Sequence, residues 1–232
     1  MAEHLHDGHR QRMRDRFLRH GLSGFSEHEV LEMLLYYAIP RVNTNDLAHR
    51  LIARFGSLYS VLCADMEELR QVKGVTENAA VLLKMLPAIY PKCLRENNTE
   101  HSLYDPGDSM LYFQKVFAFD TVEVLRIACL RNDLRMQSCE IIAQGKIARV
   151  ESTVEDIVRH CTQQNCSNVM IAHNHPGAAA LPSAQDIAST HHLFQKLDFY
   201  NICLIDHIIV GANGDVHSMR KSGVFSFQSA RL

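Results

Sequence analysis

The sequence predicts an α+β protein: an all-helical domain over residues 1–100, then an α/β domain over 101–232 in which a mixed sheet is flanked by helices. Three observations predict it. Up to residue 95, apolar side chains recur at helical spacing between capping signals. From 95 to 108 the composition turns to that of a linker, with Glu96-Asn97-Asn98-Thr99-Glu100 followed by Asp105-Pro106-Gly107. Beyond Val122, short β-rich runs alternate with helical stretches.

In the first half, Met13, Phe17 and Leu18 form a helical stripe closed by Gly21 at the C-cap. Ser26 and Glu29 form a capping box ahead of Val30, Leu31, Met33, Leu34 and Leu35, and Pro40 stands where that helix must have ended. Thr44 or Asn45 opens a third helix carrying Leu47, Leu51, Ile52 and Phe55 and ending at Gly56. Residues 65–72 read as a short helix, Lys73-Gly74-Val75 as a tight turn, and Thr76 as the N-cap of a helix from Glu77. This is the outline of a helix-hairpin-helix, whose backbone N–H groups meet a phosphate without reading sequence. An ordinary turn between packed helices explains the same residues, because Thr76 stands where a second glycine would allow close approach. Arg10, Arg12, Arg14, Arg16 and Arg19 make a local basic cluster, equally the pattern of a solvated helix face.

In the second half, a helix over 109–117 precedes a strand over 122–130, a turn at Asn132-Asp133, and a strand over 140–143 that leads into Gly145. A short strand follows near 147–150, then a helix over 153–161, a buried strand over 168–172, a helix over 183–197 and a strand over 202–210. Asn213-Gly214 turns a hairpin.

Composition bounds the function. Twenty-four basic and 26 acidic side chains leave a net charge of -2, so no global field recruits nucleic acid or an anionic membrane. The seven cysteines (Cys63, Cys93, Cys129, Cys139, Cys161, Cys166, Cys203) have no Cys-x-x-Cys spacing and read as reduced, buried thiols. Cys161 and Cys166 lack a second pair at ligand spacing, which argues against a structural zinc site. With no signal peptide and no run of 18 apolar residues, a soluble, cytoplasmic protein is expected.

The chemistry concentrates in His173-Asn174-His175-Pro176 and, further on, Ser183 and Asp186. Residues i and i+2 of a strand share a face, so His173 and His175 can offer two imidazoles to one ion at the strand's end. Asp186 lies in the first turn of a helix that Ser183 would cap, close enough to add a carboxylate. Two imidazoles, one carboxylate and an open position form the ligand set of a catalytic zinc site. The letters His-Asn-His also spell a nuclease motif, but that motif disperses its histidines over a hairpin and a helix. A metal-activated water needs a nearby carboxylate as base, and Glu123, which introduces an apolar strand, is the best placed, ahead of Glu140, Glu151 and Glu155. Ser183 can donate a hydrogen bond to a developing oxyanion. His207, on a buried-looking strand, reads as a satisfied core histidine rather than a partner of the site; His191 and His192 read as surface residues.

Glu123, His173, His175, Ser183 and Asp186 resemble the motif of JAMM (MPN/JAB) metalloproteases, and His-Asn-His-Pro with Asp206-His207-Ile208-Ile209-Val210-Gly211 resembles RadC-like proteins in particular. The resemblance covers nearly the whole chain, since RadC-like proteins also carry an N-terminal helical region with a helix-hairpin-helix. It implies a JAMM/MPN-like sheet of cytidine-deaminase-like architecture. His173, His175 and Asp186 would be ligands to Zn2+, Glu123 the general base and Ser183 the transition-state stabiliser. The implied activity is hydrolysis of a peptide or isopeptide amide bond in a protein or peptide substrate. The alternative it implies is a DNA-associated repair or recombination accessory protein with a structural or vestigial metal site, touching DNA non-specifically through the N-terminal domain. Three positions depart from the family pattern: Gly177-Ala178 replaces Ser-Gly, Gly145-Lys146 replaces Gly-Thr, and Pro-Arg-Glu is lost around residues 152–155.

Overall fold

Side-chain caps decide where the N-terminal helices begin. The computed structural model describes residues 3–98, 102–145, 150–224 and 226, which fall into two units, Met1–Ile89 and Tyr90–Leu232. The first unit contains α1 (Glu3–His20), α2 (Glu27–Ala38), α3 (Asn45–Phe55), α4 (Leu58–Cys63), α5 (Met66–Arg70) and the start of α6 (Glu77–Asn98). The Glu29 carboxylate accepts from Ser26 N at 2.9 Å, Ser57 Oγ from Ser60 N at 3.1 Å, and Thr76 Oγ1 from Ala79 N at 3.2 Å. Each bond satisfies a donor that a helix terminus leaves unpaired. Leu31, Leu35, Leu47, Leu51, Leu69 and Leu83 are buried in one core, each worth about 1.5–3 kcal/mol. The short α4 has no counterpart in the sequence reading, because six residues are too few to show a period.

The first apolar stripe is corrected by the structure. Only Met13 is buried, while Leu18 is 78% exposed. Besides the Met13, Met33 and Tyr36 cluster, charge ties α1 to α2 and to the loop before it: Arg16 pairs with Glu29 at 2.8 Å and lies over the Phe25 ring. Arg10 lies over the Tyr36 ring and donates to the carbonyl oxygens of Ile39 and Val42. With Arg19 donating to the Asp15 carbonyl at 3.2 Å, three of the five clustered arginines are engaged within the unit, whereas Arg12 and Arg14 are exposed. At the Lys73–Val75 turn, Gly74 has φ +99, the left-handed region that favours glycine. The Arg50 guanidinium donates to the Lys73 carbonyl at 3.1 Å and would lie 3.3 Å from a Cβ on Gly74.

The second unit contains α7 (Pro106–Val116), β1 (Val124–Leu130), β2 (Met136–Gln144), α8 (Val150–Gln164), β3 (Asn168–His175), α9 (Ala184–Phe199), β4 (Cys203–Gly211) and β5 (Val216–Ser218). The strands form one mixed sheet in the order β2-β1-β3-β4-β5. Only the β3–β4 pair is parallel, and parallel neighbours need a crossover, which α9 supplies. Alternate residues of β1 serve two cores. Val124, Ala128 and Leu130 cluster with Phe113 and Val116 of α7, and Leu125, Ile127 and Cys129 with Ile157 of α8 and Leu193 and Leu197 of α9. Burial on both faces is why β1 reads as an apolar run broken only by Arg126, whose guanidinium pairs with Asp120 at 2.8 Å.

Asp105-Pro106, which reads as linker, is a helix start. Asp105 Oδ1 accepts from Gly107 N at 2.7 Å, and Pro106 takes the first turn, where a missing N–H costs nothing. The strand expected near 147–150 lies outside the described residues except Val150, which begins α8.

Asp206 fastens the end of the sheet. Fully buried on β4, it accepts from His207 N at 2.7 Å, Arg220 N at 3.0 Å and the Ser218 hydroxyl. Removing a carboxylate that satisfies three donors leaves them stranded. Asp206→Ala is therefore expected to lower stability by at least about 2 kcal/mol, seen as a lower denaturant midpoint at unchanged slope.

Candidate metal centre

The sheet brings two histidines and a carboxylate to one point. His173 and His175 leave the same face of β3 at its C-terminal end, and Asp186 faces them from the first turn of α9. His173 Nε2 lies 2.9 Å from His175 Nε2 and 3.4 Å from Asp186 Oδ1, and His175 Nε2 lies 3.6 Å from Asp186 Oδ2. His173 is buried, whereas about a sixth of the surface of His175 and Asp186 is open.

Hydrogen bonds on the far side of each ring fix its tautomer. His175 Nδ1 lies 3.1 Å from the Ala179 carbonyl, which can only accept, so Nδ1 carries the proton and Nε2 keeps its lone pair. For His173 the argument runs through three residues. Thr190 Oγ1 donates to the Asp186 carbonyl at 2.6 Å and therefore accepts from His207 Nδ1 at 2.6 Å. His207 Nε2 is then an acceptor and takes the proton of His173 Nδ1 at 2.7 Å, leaving His173 Nε2 unprotonated. Burial pushes the His173 pKa down to about 4, with Asp186 pulling the other way and His175 adding to the fall. Burial, with both neighbouring histidines, also lowers the pKa of His207. His173 and His207 are therefore both neutral at pH 7.

Two nitrogen lone pairs and a carboxylate thus converge with no proton donor among them. Such a set repels itself unless a cation is shared, and its composition fits a divalent metal with an open position. Asp186 is itself held. Its Oδ2 accepts from Ser183 N at 2.7 Å while Ser183 Oγ accepts from Asp186 N at 3.1 Å, closing the capping box of α9. The exposed Ser183 hydroxyl keeps its own proton to donate.

Glu123 is placed by backbone rather than by contact. Glu123 stands one residue before β1, whose register with β3 ends at the Leu125–His173 pair, and Val124 N bonds the Asn174 side chain. Among the described residues, no hydrogen bond or ion pair joins its side chain to the histidines or Asp186. Neither Glu140 nor Glu155 is among the residues whose ligand atoms converge with the triad, and the side chain of Glu151 lies outside the described residues.

Two features escaped the sequence reading. Asn174, buried between the ligands, donates to the carbonyls of Asp120 (3.1 Å) and Val122 (2.9 Å) and accepts from Val124 N (2.7 Å), which brackets Glu123. His207 is the buried core histidine expected, and it is at the same time the partner that orients His173. The signal for the first was an amide in a buried strand, a residue type that needs partners there.

The loop after His175, where Gly177-Ala178 departs from the family pattern, is strapped to the end of β4. Ala212 N donates to Ala178 O at 2.9 Å and Ala180 N to Asp215 Oδ2 at 2.7 Å. A Cβ on Gly211 would lie 2.6 Å from Ala180 N, so only glycine lets the loop come this close.

Known proteins share this organisation. Residues 103–224 match the family model for the RadC-like JAB domain, and residues 8–81 match that of the UPF0758 N-terminal region. A UPF0758 protein of Fusobacterium nucleatum subsp. nucleatum is 29% identical over 221 residues, spanning 92% of this chain and 95% of its own.

If His207 sets the donor atom of His173, His207→Leu should weaken divalent-ion affinity by about 10–100-fold. Thr190→Val should act in the same direction, and competition against a chromophoric chelator measures both.

Proposed function

The chain belongs to the RadC-like JAB domain family, and we propose that it is a zinc-dependent hydrolase of peptide or isopeptide amide bonds, of JAMM type. The observation that carries this reading is the convergence of two lone pairs with fixed tautomers and one carboxylate at a partly open point. His173, His175 and Asp186 would hold the ion. When bound, zinc supplies Lewis acidity that brings the pKa of a coordinated water toward neutrality.

The remaining work falls to the chain's own side chains. Glu123 takes the proton from the attacking water and returns it to the leaving amine, a role supported by its position two residues before Leu125, the β1 residue that pairs with His173. Ser183, with its oxygen occupied as a helix cap, directs its hydroxyl proton to the oxygen on which negative charge develops. Asn174 positions Glu123 by holding the backbone at Asp120, Val122 and Val124.

The reading as a DNA-associated repair or recombination accessory protein has less support. Its basic cluster is partly spent inside the helical unit by Arg10 and Arg16.

Purified protein should carry one zinc per chain, lost in His173→Ala and in Asp186→Ala; stoichiometric zinc persisting in both would overturn the site. Against a panel of peptide and isopeptide substrates, Glu123→Gln should lower kcat by about 10²–10⁴-fold while keeping its zinc. Asn174→Ala should keep zinc as well and lose turnover, through a displaced Glu123; unchanged turnover would remove it as a positioning residue.

A further inference from the structure

The fold assembles a second cluster of soft ligands that no spacing in the sequence announces. Cys129 of β1, Cys161 of α8 and Cys166, just beyond α8, place their three Sγ atoms within 4.8 Å of one another. Cys129 and Cys161 are buried, and Cys166 is half-buried. The end of α8 explains how two of them meet. Asn165 is left-handed (φ 50), its N–H donates to Thr162 O at 3.2 Å, and Cys166 N donates to Cys161 O at 3.0 Å. That is the Schellman arrangement, which folds the second residue past a helix back against its last turn. Here the side chains it joins are both thiols. The third arrives through the sheet, because Cys129 points to the face on which α8 packs and shares one core with Cys161 and Cys166.

We infer that Cys129, Cys161 and Cys166 form a three-thiolate site for a thiophilic metal ion, separate from the histidine site. The register measures the separation: Leu125 pairs with His173 and Cys129 with Val169, so the two sites lie four residues apart along the same strand pair, about 13 Å at roughly 3.3 Å per residue. They share no ligand. Metal–sulfur bonds of about 2.3 Å require sulfurs about 3.8–4.0 Å apart, within the 4.8 Å limit found here. Among the described residues no fourth His, Cys or carboxylate completes the group. The set is thus one short of the tetrahedron that structural zinc takes. It suits a soft ion content with few ligands, of which monovalent copper is the best match.

Access is also present. A cleft of about 450 Å³, lined by Cys161, Cys166, Asn132, Asn165, Tyr200 and Asn201, reaches the cluster from solvent. Binding would release the thiol protons to solvent as the sulfurs become thiolates, with no change in oxidation state.

The test uses the full chain, fully reduced and metal-free, titrated anaerobically with Cu(I) against a chromophoric Cu(I) chelator. One tight equivalent is expected in the wild type and in His173→Ala, and its loss in Cys161→Ser and in Cys166→Ala. Because a core variant can fail to fold, alkylation of the wild type supplies a second measure. Bound Cu(I) should shield Cys166 from iodoacetamide while the exposed Cys93 still reacts. Absence of a tight equivalent, its survival in both cysteine variants, or a Cys161–Cys166 disulfide that resists the reductant would overturn the site. None of these outcomes depends on the hydrolase reading.

Discussion

His173 is buried at the end of β3, and the 2.7 Å hydrogen bond from its Nδ1 to His207 decides which of its nitrogens faces Asp186. Through His207 and Thr190 that choice is passed to the backbone carbonyl of Asp186 itself, so the tautomer of His173 is set by the helix that carries the facing carboxylate. The chain of bonds joins β3, β4 and α9, the three elements of the parallel crossover. A parallel neighbour for β3 is what brings His207 alongside, and the crossover helix is what brings Thr190 and Asp186. Reversing any one bond would turn a lone pair into a proton at the centre.

The same strand end organises its surroundings through backbone rather than side-chain contacts. Asn174 points away from the two histidines and uses its amide to hold the approach to β1, while the glycine at 211 lets the 177–180 loop close against β4. Ala179 contributes to the site only by its carbonyl. Gly177-Ala178 therefore falls in a loop whose anchoring comes from backbone groups and Asp215.

The two ends of the β1–β3 pair have opposite chemical character. One gathers nitrogen and carboxylate donors near the surface; the other gathers sulfur beneath a cleft. Between them lies a tightly packed apolar layer of Ile127, Ile171 and Leu193. Such a layer keeps the sites chemically separate while fixing both on one rigid pair of strands.

Much of this was legible in the chain. Helical spacing and the Ser26–Glu29 box located α2, the period-2 placement of His173 and His175 put both on one face, and Ser183 with Asp186 marked the start of α9. These are local matters: backbone periodicity and capping act over a few residues, so a few residues encode them. The resemblance to RadC-like proteins rested on the same short stretches. Through-space neighbours were decided elsewhere. His207 against His173, Asn174 against Val124 and Cys129 beside Cys161 join residues 34, 50 and 32 positions apart in the chain. Their meeting depends on strand order, on register and on the packing of helices over the sheet. Those are settled only when both faces of the sheet are buried at once, because a slip of one residue would exchange the faces and part every one of these pairs.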